Sequence, residues 1–322
     1  MKPNKFFKVL RKAWGLLKAS FNAFLDDKAL KMSASLAYYT VFSIAPLLLM
    51  LITIASFIYG NDKSVQETVF REINGLVGSE AAFQVQDILK KASQSKDSTF
   101  AVIAGIVTLF IGATGVFLEI QDSINQIWRV KPKPKKNWKK MLTNRFISFS
   151  MIISLGFLLI VSLVINGLVL ALSAKLNQYF PDITIFFVNI INLIITFTVI
   201  SALFGIIFKF LPDVIIAWKD VRAGAIFTAM LFMLGKFLIG LYIEKVGPGS
   251  AYGAAGSLIV ILVWIYYTSA LLYFGAEFTQ VYADCYGSKI RPAEYAVYVV
   301  LTEQEKDVKV LPSQNHEVTQ ND

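Results

Sequence analysis

The sequence predicts an all-α polytopic membrane protein with six transmembrane helices. Of its 322 residues, 56% are hydrophobic and only 16% are charged, whereas about a quarter of the residues in a soluble domain are charged. The apolar residues are also grouped into long runs, and the run at 257–274 contains no charge. At about 1.5 Å per residue, a helix of this kind crosses a hydrocarbon layer about 30 Å thick. The spans are expected at about 34–59, 99–118, 146–174, 183–208, 221–243 and within 252–283.

Three segments are predicted along the chain. Residues 1–32 alternate apolar and basic side chains at helical spacing, which predicts a basic amphipathic helix on the cytoplasmic membrane surface. Nucleic-acid binding by this helix is the less favoured alternative, because its apolar face is complete. Residues 33–285 form the transmembrane domain, with a small extracytoplasmic helical cap at 60–98 between the first two spans. Residues 286–322 are polar and are expected to form a loosely ordered cytoplasmic tail.

The distribution of positive charge orients the chain. Segments 1–33, 119–145, 209–222 and 285–322 hold 23 of the 31 Lys and Arg residues, and the loops on the opposite side hold seven. The positive-inside rule therefore places both termini in the cytoplasm. The basic loops are expected to contact anionic lipid headgroups. RNA binding by 129–145 is the sharper alternative, but no aromatic binding fold surrounds that stretch.

Polar side chains inside or beside the spans are the candidate residues of a transport pathway, because ionisable groups in a membrane are costly and usually functional. Lys236 is expected in the outer half of span five, about 22 Å from its inner start, too far away to pair with Glu277. Snorkelling explains Lys236 equally well, and an interfacial position is the alternative for Glu119 and Glu277. The candidates are Glu119, Asp122, Asn125, Lys236, Glu277 and Gln280.

Helix-breaking residues are the candidate hinges or gates. Proline removes a backbone hydrogen bond and kinks a helix, while glycine lets neighbouring backbones approach. Simple helix packing is the alternative role. These residues are Pro46, Gly112, Gly115, Gly253 and Gly256.

Several kinds of site are not expected. The single Cys285 and the single His316 argue against a disulfide and against a zinc site. The glycine-rich turn at 247–256 lacks the Gly-Lys-Ser/Thr ending of a phosphate-binding loop. We therefore expect no catalytic, metal or cofactor site, no enzymatic activity and no nucleic-acid partner, while homo-oligomerisation is left open.

Three stretches resemble a known family. They are Ser35-Leu-Ala-Tyr38-Tyr-Thr-Val-Phe-Ser43-Ile-Ala-Pro46, then Gly112-Ala-Thr-Gly115 through Asp122-Ser-Ile-Asn125-Gln-Ile-Trp128, and Tyr252-Gly-Ala-Ala-Gly256 through Trp264-Ile-Tyr266-Tyr and Gly275-Ala-Glu277-Phe. In this order they resemble the YihY/BrkB family of bacterial inner-membrane proteins, over about residues 30–285. The resemblance implies six transmembrane helices in the cytoplasmic membrane. It implies no settled activity, and the family's former label, ribonuclease BN, is a misassignment.

Two functions remain open at this point. The favoured one is a transporter or flippase of a lipid or other amphiphilic envelope component, because polar groups occur at both membrane depths beside basic inner loops. The alternative is a non-catalytic assembly or structural factor of the envelope, in which the acidic residues only pack helices. A tRNA-processing ribonuclease is disfavoured, since the aqueous segments are too short to form a nuclease domain.

Overall fold

The computed structural model describes residues 5–42, 83, 115–133, 181–246 and 256–300. Most of these residues are helical. We name the helices α1 (Lys5–Asp26), α2 (29–42), α3 (115–127), α4 (Pro181–Phe210), α5 (Trp218–Val246) and α6 (Gly256–Tyr286). Four short strands connect or follow them: β1 (Val130–Pro132), β2 (Val214–Ile215), β3 (Arg291–Pro292) and β4 (Ala296–Tyr298).

Three helices in the described ranges are long and apolar enough to cross a membrane. They cover Phe187–Phe210, Trp218–Val246 and Leu258–Tyr286, and they agree with the predicted spans four, five and six. Of the first two predicted spans, 34–42 and 115–118 are described and helical. The remainder of those spans, span three and the predicted cap at 60–98 lie outside the described residues, apart from the helical Phe83. The chain is thus a multi-pass membrane protein, and the count of six spans and the side of the termini stay predictions.

Helices α5 and α6 pack antiparallel through a reciprocal pair of glycines and threonines. A methyl group on Gly224 would lie 1.8 Å from the Thr279 hydroxyl oxygen, and one on Gly275 would lie 2.0 Å from that of Thr228. The Thr228 hydroxyl donates to the Gly224 carbonyl at 2.7 Å, and Thr279 donates to Gly275 at 2.6 Å. Each hydroxyl is thus satisfied within its own helix, and each glycine leaves room for the threonine opposite.

Helix α1 packs antiparallel along the second half of α6. The Phe24 ring lies edge-on to Phe274, with centroids 5.7 Å apart. Near the other end of α1, the Lys12 ammonium sits 5.8 Å from the centre of the Tyr286 ring. A helix therefore occupies the segment predicted to be helical, and one of its faces covers α6. Its position at the membrane surface stays a prediction.

The described part of the C-terminal segment is held in place by two strand pairs. β1 pairs antiparallel with β4, with Val130 opposite Tyr298, and β2 pairs with β3, with Val214 opposite Pro292. The prediction of a loosely ordered tail is therefore wrong for residues 287–300, and the predicted all-α class needs these two small sheets added. Strands of two or three residues are too short to show a period in sequence. Residues 301–322 lie outside the described residues.

Loops and helix ends meet at one end of the spans, on the side predicted to be cytoplasmic. We call residues 119–133, 209–220 and 287–299, with the turn at 27–28, the polar layer. Three basic residues of this layer adopt left-handed backbone conformations with φ of 56°, 57° and 58°. They follow α1, α3 and α6, where a cation interacts favourably with the helix C-terminus. They are Lys28, Arg129 and Lys289.

The tight contact between α5 and α6 gives the first testable prediction. Gly224→Ala places a methyl group against the buried Thr279 side chain, and we expect a loss of about 1–3 kcal/mol of stability from overpacking. Gly240→Ala is the matched control on the same helix, because nothing lies within 4 Å of an added methyl group there. Thermal unfolding in detergent micelles should show a lower midpoint for Gly224→Ala alone. Equal midpoints for the two variants would contradict the described contact.

Candidate functional site

The most unusual side chain in the described residues is Glu277, in the last third of α6. It is 0% exposed, and neither carboxyl oxygen has a hydrogen-bond partner among the described residues. Its carboxyl lies beside that of Asp27. Burying an ionised carboxylate without a partner is very unfavourable, and such a group pairs with a cation or takes up a proton instead. Glu277 therefore identifies the candidate site.

Asp27 and Arg129 complete the charged group around Glu277. Asp27 lies in the turn between α1 and α2 and is 6% exposed. The Arg129 guanidinium, at the end of α3, forms an ion pair with it. Burial raises the pKa of Asp27 above its usual value of 3.8, Arg129 acts to lower it, and Asp26 adds a smaller upward effect. We call these three residues the Asp27–Arg129–Glu277 cluster.

A hydrogen bond from α3 fixes the position of α6 at this cluster. The Trp128 indole N–H donates to the carbonyl oxygen of Ala276 at 3.0 Å, and Trp128 is only 3% exposed. Trp128 precedes Arg129, and Ala276 precedes Glu277, so this bond aligns the ion pair with the buried acid. Three separate parts of the chain thus meet at one point: the α1–α2 turn, the end of α3 and α6.

A second buried polar side chain lies one helical turn from Glu277 toward the middle of the span. Tyr273 is 0% exposed, and its hydroxyl has no hydrogen-bond partner among the described residues. Ser123 of α3 lies beside it. Residues four apart share one helix face, so Tyr273 and Glu277 form a polar line along the face of α6 that is turned toward α3.

Asn125 belongs to a different cluster in the polar layer. Its amide nitrogen donates to the Asp213 carboxylate at 2.8 Å, and its amide oxygen accepts from the Asp213 backbone N–H at 2.8 Å. Gln121 donates to the same carboxylate at 3.2 Å. Burial raises the pKa of Tyr295 to about 12, the charge of Asp213 acts in the same direction, and the neutral phenol lies in hydrogen-bonding reach of that carboxylate. Asp213 is thus buried with its partners in place, and Asn125 joins α3 to the α4–α5 loop.

The other predicted pathway residues are spread over the structure. Glu119 and Gln280 are half-buried, and Asp122 is exposed. Lys236 is half-buried on α5, next to Gly235, whose neighbour on α6 is Tyr267. Tyr267 lies ten residues before Glu277, a rise of about 15 Å along the helix. Lys236 is therefore not close to Glu277 in the structure, and the sequence likewise predicts that the two residues are too far apart to pair.

The predicted hinge residues are described in part. Gly115 packs against the ring of Tyr39, which would lie 3.2 Å from an added methyl group. Gly256 begins α6 and is buried. Pro46, Gly112 and Gly253 lie outside the described residues. The tightest helix contacts in the described ranges use Gly224, Gly235 and Gly275, none of which was predicted to be a hinge.

Two members of the central cluster were missed from sequence. The sequence places Arg129 in a basic loop that is expected to contact lipid headgroups, whereas in the structure Arg129 pairs with Asp27. Asp26 and Asp27 follow each other where α1 ends, and acidic side chains are disfavoured at a helix C-terminus. That anomaly is a local signal that Asp27 has a partner elsewhere in the fold.

The cluster is suited to binding a proton or a small cation. It offers two carboxyls against one guanidinium in a buried setting. Within the described ranges, no group of three or more His, Cys, Asp or Glu side chains is arranged to hold a metal ion.

Comparison with known proteins identifies the family. The family model described as "Virulence factor BrkB" matches residues 20–297. The chain belongs to this BrkB family. The match contains all three residues of the cluster and the polar layer up to β4, and it confirms the resemblance found in the sequence.

Three relatives of this BrkB-family chain are named UPF0761 membrane proteins. A UPF0761 membrane protein of Pseudomonas aeruginosa (strain LESB58) is 29% identical over 260 residues, covering 79% of this chain and 59% of the relative. The UPF0761 membrane protein of Psychrobacter sp. (strain PRwf-1) is 25% identical, covering 87% of this chain and 50% of the relative. That of Stenotrophomonas maltophilia (strain R551-3) is also 25% identical, covering 81% of this chain and 59% of the relative. The chain thus spans between half and three fifths of the length of these relatives. No solved structure matches it.

The cluster around Asp213 gives the second testable prediction. Asn125→Ala removes two hydrogen bonds from Asp213, which is 2% exposed. Leaving a buried polar group short of hydrogen-bond partners costs about 1–3 kcal/mol of stability. Gln126→Ala, at the exposed neighbouring position, is the control. Thermal unfolding should show a lower midpoint for Asn125→Ala, and limited proteolysis should cut residues 209–217 faster. Unchanged proteolysis of that loop would show that Asn125 does not hold it.

Proposed function

We propose that this BrkB-family protein is a transporter or flippase that moves a lipid or other amphiphilic envelope component across the bacterial cytoplasmic membrane. The observation that carries the proposal is the Asp27–Arg129–Glu277 cluster. A fully buried acid in an apolar helix costs stability, and such residues mark substrate or ion pathways in membrane proteins. A helix serving only as an anchor has no need of one.

The surroundings of the cluster support a path for an amphiphile. Tyr273 extends the polar line from Glu277 toward the middle of the span, while α4 and α5 leave apolar side chains such as Leu193, Leu234 and Phe237 exposed on the outside. Exposed Lys131 and the basic residues near it lie in the polar layer. Cations at that depth would attract anionic headgroups, so the proposed partners are lipids rather than nucleic acid, and no enzymatic step is proposed.

One observation favours the alternative of an envelope assembly factor. Asn125, a predicted pathway residue, forms a fixed structural contact with Asp213, and the two strand pairs tie the same layer together. If Glu277 serves only to hold the α1–α2 turn against α6, the protein would be a scaffold. This alternative predicts that neutral isosteres of Glu277 retain function.

A lipid-translocation assay tests the proposal. Purified protein is placed in liposomes that contain fluorescent anionic lipids, and a quencher that cannot cross the membrane is added outside. Fluorescent lipids in the inner leaflet are protected from the quencher until they are moved to the outer leaflet, so the loss of their fluorescence is followed in time. We expect translocation by the wild type and its loss in Glu277→Gln, because an amide at this position cannot bind and release a proton. Glu294→Gln, the same change at an exposed position in the polar layer, should translocate like the wild type.

The outcomes separate the two functions. Translocation that Glu277→Gln lacks and Glu294→Gln retains supports transport through the cluster. Translocation retained by Glu277→Gln moves the pathway elsewhere, and Lys236→Met then tests the half-buried cation of α5. Absence of translocation of any lipid by folded wild-type protein contradicts the flippase proposal and favours assembly.

A further inference from the structure

We propose that Asp27 and Glu277 share one proton, held beside Arg129, and that this proton is the coupling ion of the transport. The first half of the inference stands on the structure alone, whereas the second half rests on the proposed function. Two carboxyls and one guanidinium carry a net charge of −1 when all three are ionised. Asp27 and Glu277 are 6% and 0% exposed, and two adjacent buried carboxyls do not tolerate that excess. The smallest compensating cation is a proton.

The contact between the two carboxyls requires a donor. Ionised carboxylates accept hydrogen bonds and cannot donate them, so two of them placed side by side repel each other. The side chains of Asp27 and Glu277 nonetheless lie within hydrogen-bonding reach. A single proton turns this repulsive contact into a hydrogen bond from a carboxylic acid to a carboxylate.

The proton belongs mainly to Glu277. Asp27 already faces the Arg129 guanidinium, which stabilises its ionised form. Glu277 has no other partner among the described residues and is the more deeply buried of the two. The favoured arrangement is therefore Glu277 carboxylic acid, Asp27 carboxylate and Arg129 guanidinium in one chain of contacts.

Few other charges act on the pair. From α1, Asp26 lies one residue away and opposes a second negative charge. From α3, Arg129 is the cation. From α5, which packs on the neighbouring face of α6, Gly224 and Thr228 are presented at this level, and both are uncharged. The titration of the pair is thus governed by Arg129 and Asp26 among the described residues.

Release of the proton has a mechanical consequence. When Glu277 gives its proton to water, the cluster holds two negative charges, one on the α1–α2 turn (Asp27) and one on α6 (Glu277), against the one positive charge of Arg129. The hydrogen bond between Asp27 and Glu277 is then replaced by repulsion, and α1, which lies along α6, is pushed from it. Proton binding at this site would thereby couple to the movement of α1 and α2 against α6.

Stability should depend on pH in the corresponding direction. A carboxyl whose pKa is raised in the folded state binds its proton more tightly there than in the unfolded chain. The pKa of Asp27 is raised, so its contribution to stability is fully present below about pH 4 and is lost as the pH rises through the folded-state pKa. Asp27→Asn should flatten this dependence in unfolding midpoints measured across pH, and Glu294→Gln should not. A dependence left unchanged by Asp27→Asn would contradict the assignment.

Infrared spectroscopy tests the shared proton directly. A protonated carboxylic acid has a carbonyl stretch separate from the carboxylate bands, and the wild type at neutral pH should show it for one group. Glu277→Gln and Asp27→Asn should each lose the band, because the remaining carboxyl is neutralised by Arg129. Arg129→Gln leaves two carboxyls without a cation, and its band should rise about twofold. Glu294→Gln should match the wild type.

The outcomes are distinct. No band in the wild type, or a band retained in both Glu277→Gln and Asp27→Asn, overturns the shared proton. A band suppressed by Na⁺ but not by K⁺ or an organic cation also overturns it, since the site would then take a metal cation. If Arg129→Gln does not fold, the two neutral isosteres still decide the question.

A second arm tests coupling in liposomes. A pH difference across the membrane should change the rate of lipid translocation relative to equal pH, and replacing Na⁺ with K⁺ should leave the rate unchanged. A rate that is insensitive to the pH difference overturns coupling, while the infrared result for the proton still stands. Conversely, a protein that shows the band but moves no lipid contradicts the proposed function and keeps the proton site.

Discussion

The close antiparallel contact between α5 and α6 is the interaction on which the candidate site depends. Gly275 and Thr279 lie on either side of Glu277 in α6, and both are pressed against α5. With that face of the helix closed, the adjoining face with Ala276 and Glu277 is turned to α3 and to the α1–α2 turn. Wider spacing between α5 and α6 would admit other groups to Glu277. The two glycines thus determine how completely the acid is buried.

Two buried acids of the protein show how partners decide what a carboxyl does. Asp213 and Glu277 are almost equally inaccessible, at 2% and 0% exposure. Asp213 accepts hydrogen bonds from Asn125 and Gln121, and these bonds hold its loop against α3. Among the described residues, the Glu277 carboxyl has no hydrogen-bond donor and lies beside another acid, Asp27. The first arrangement is typical of a structural residue, and the second is typical of a group whose charge changes during function.

The sequence predicts the features that depend on neighbouring residues along the chain. Helices α4, α5 and α6 are visible as long apolar runs, and Glu277 stands out because it is a charged residue within such a run. The local sequence marks Asp27 as unusual but cannot identify Glu277 as its partner, because the pair lies 250 residues apart and forms only after α1 turns back along α6. Counting helical rise predicts that Lys236 lies too far from Glu277 to pair with it, and the α6 residue beside its neighbour Gly235 is Tyr267, ten residues from Glu277. Asn125 is predicted for a pathway, yet it binds Asp213, since hydrogen-bond partners from distant loops cannot be read from local pattern.

The pairing of β1 with β4 has a consequence for how the protein is made. Val130 finds its partner Tyr298 only after 168 further residues have been synthesised, and β2 likewise waits for β3. The membrane spans that lie between β1 and β4 in the sequence must therefore enter the membrane before β1 and β2 have paired with their partner strands. The polar layer is therefore completed only after the segment that carries β3 and β4 has been translated. Until then, chaperones or the insertion machinery have access to the unpaired strand edges at Val130 and Val214.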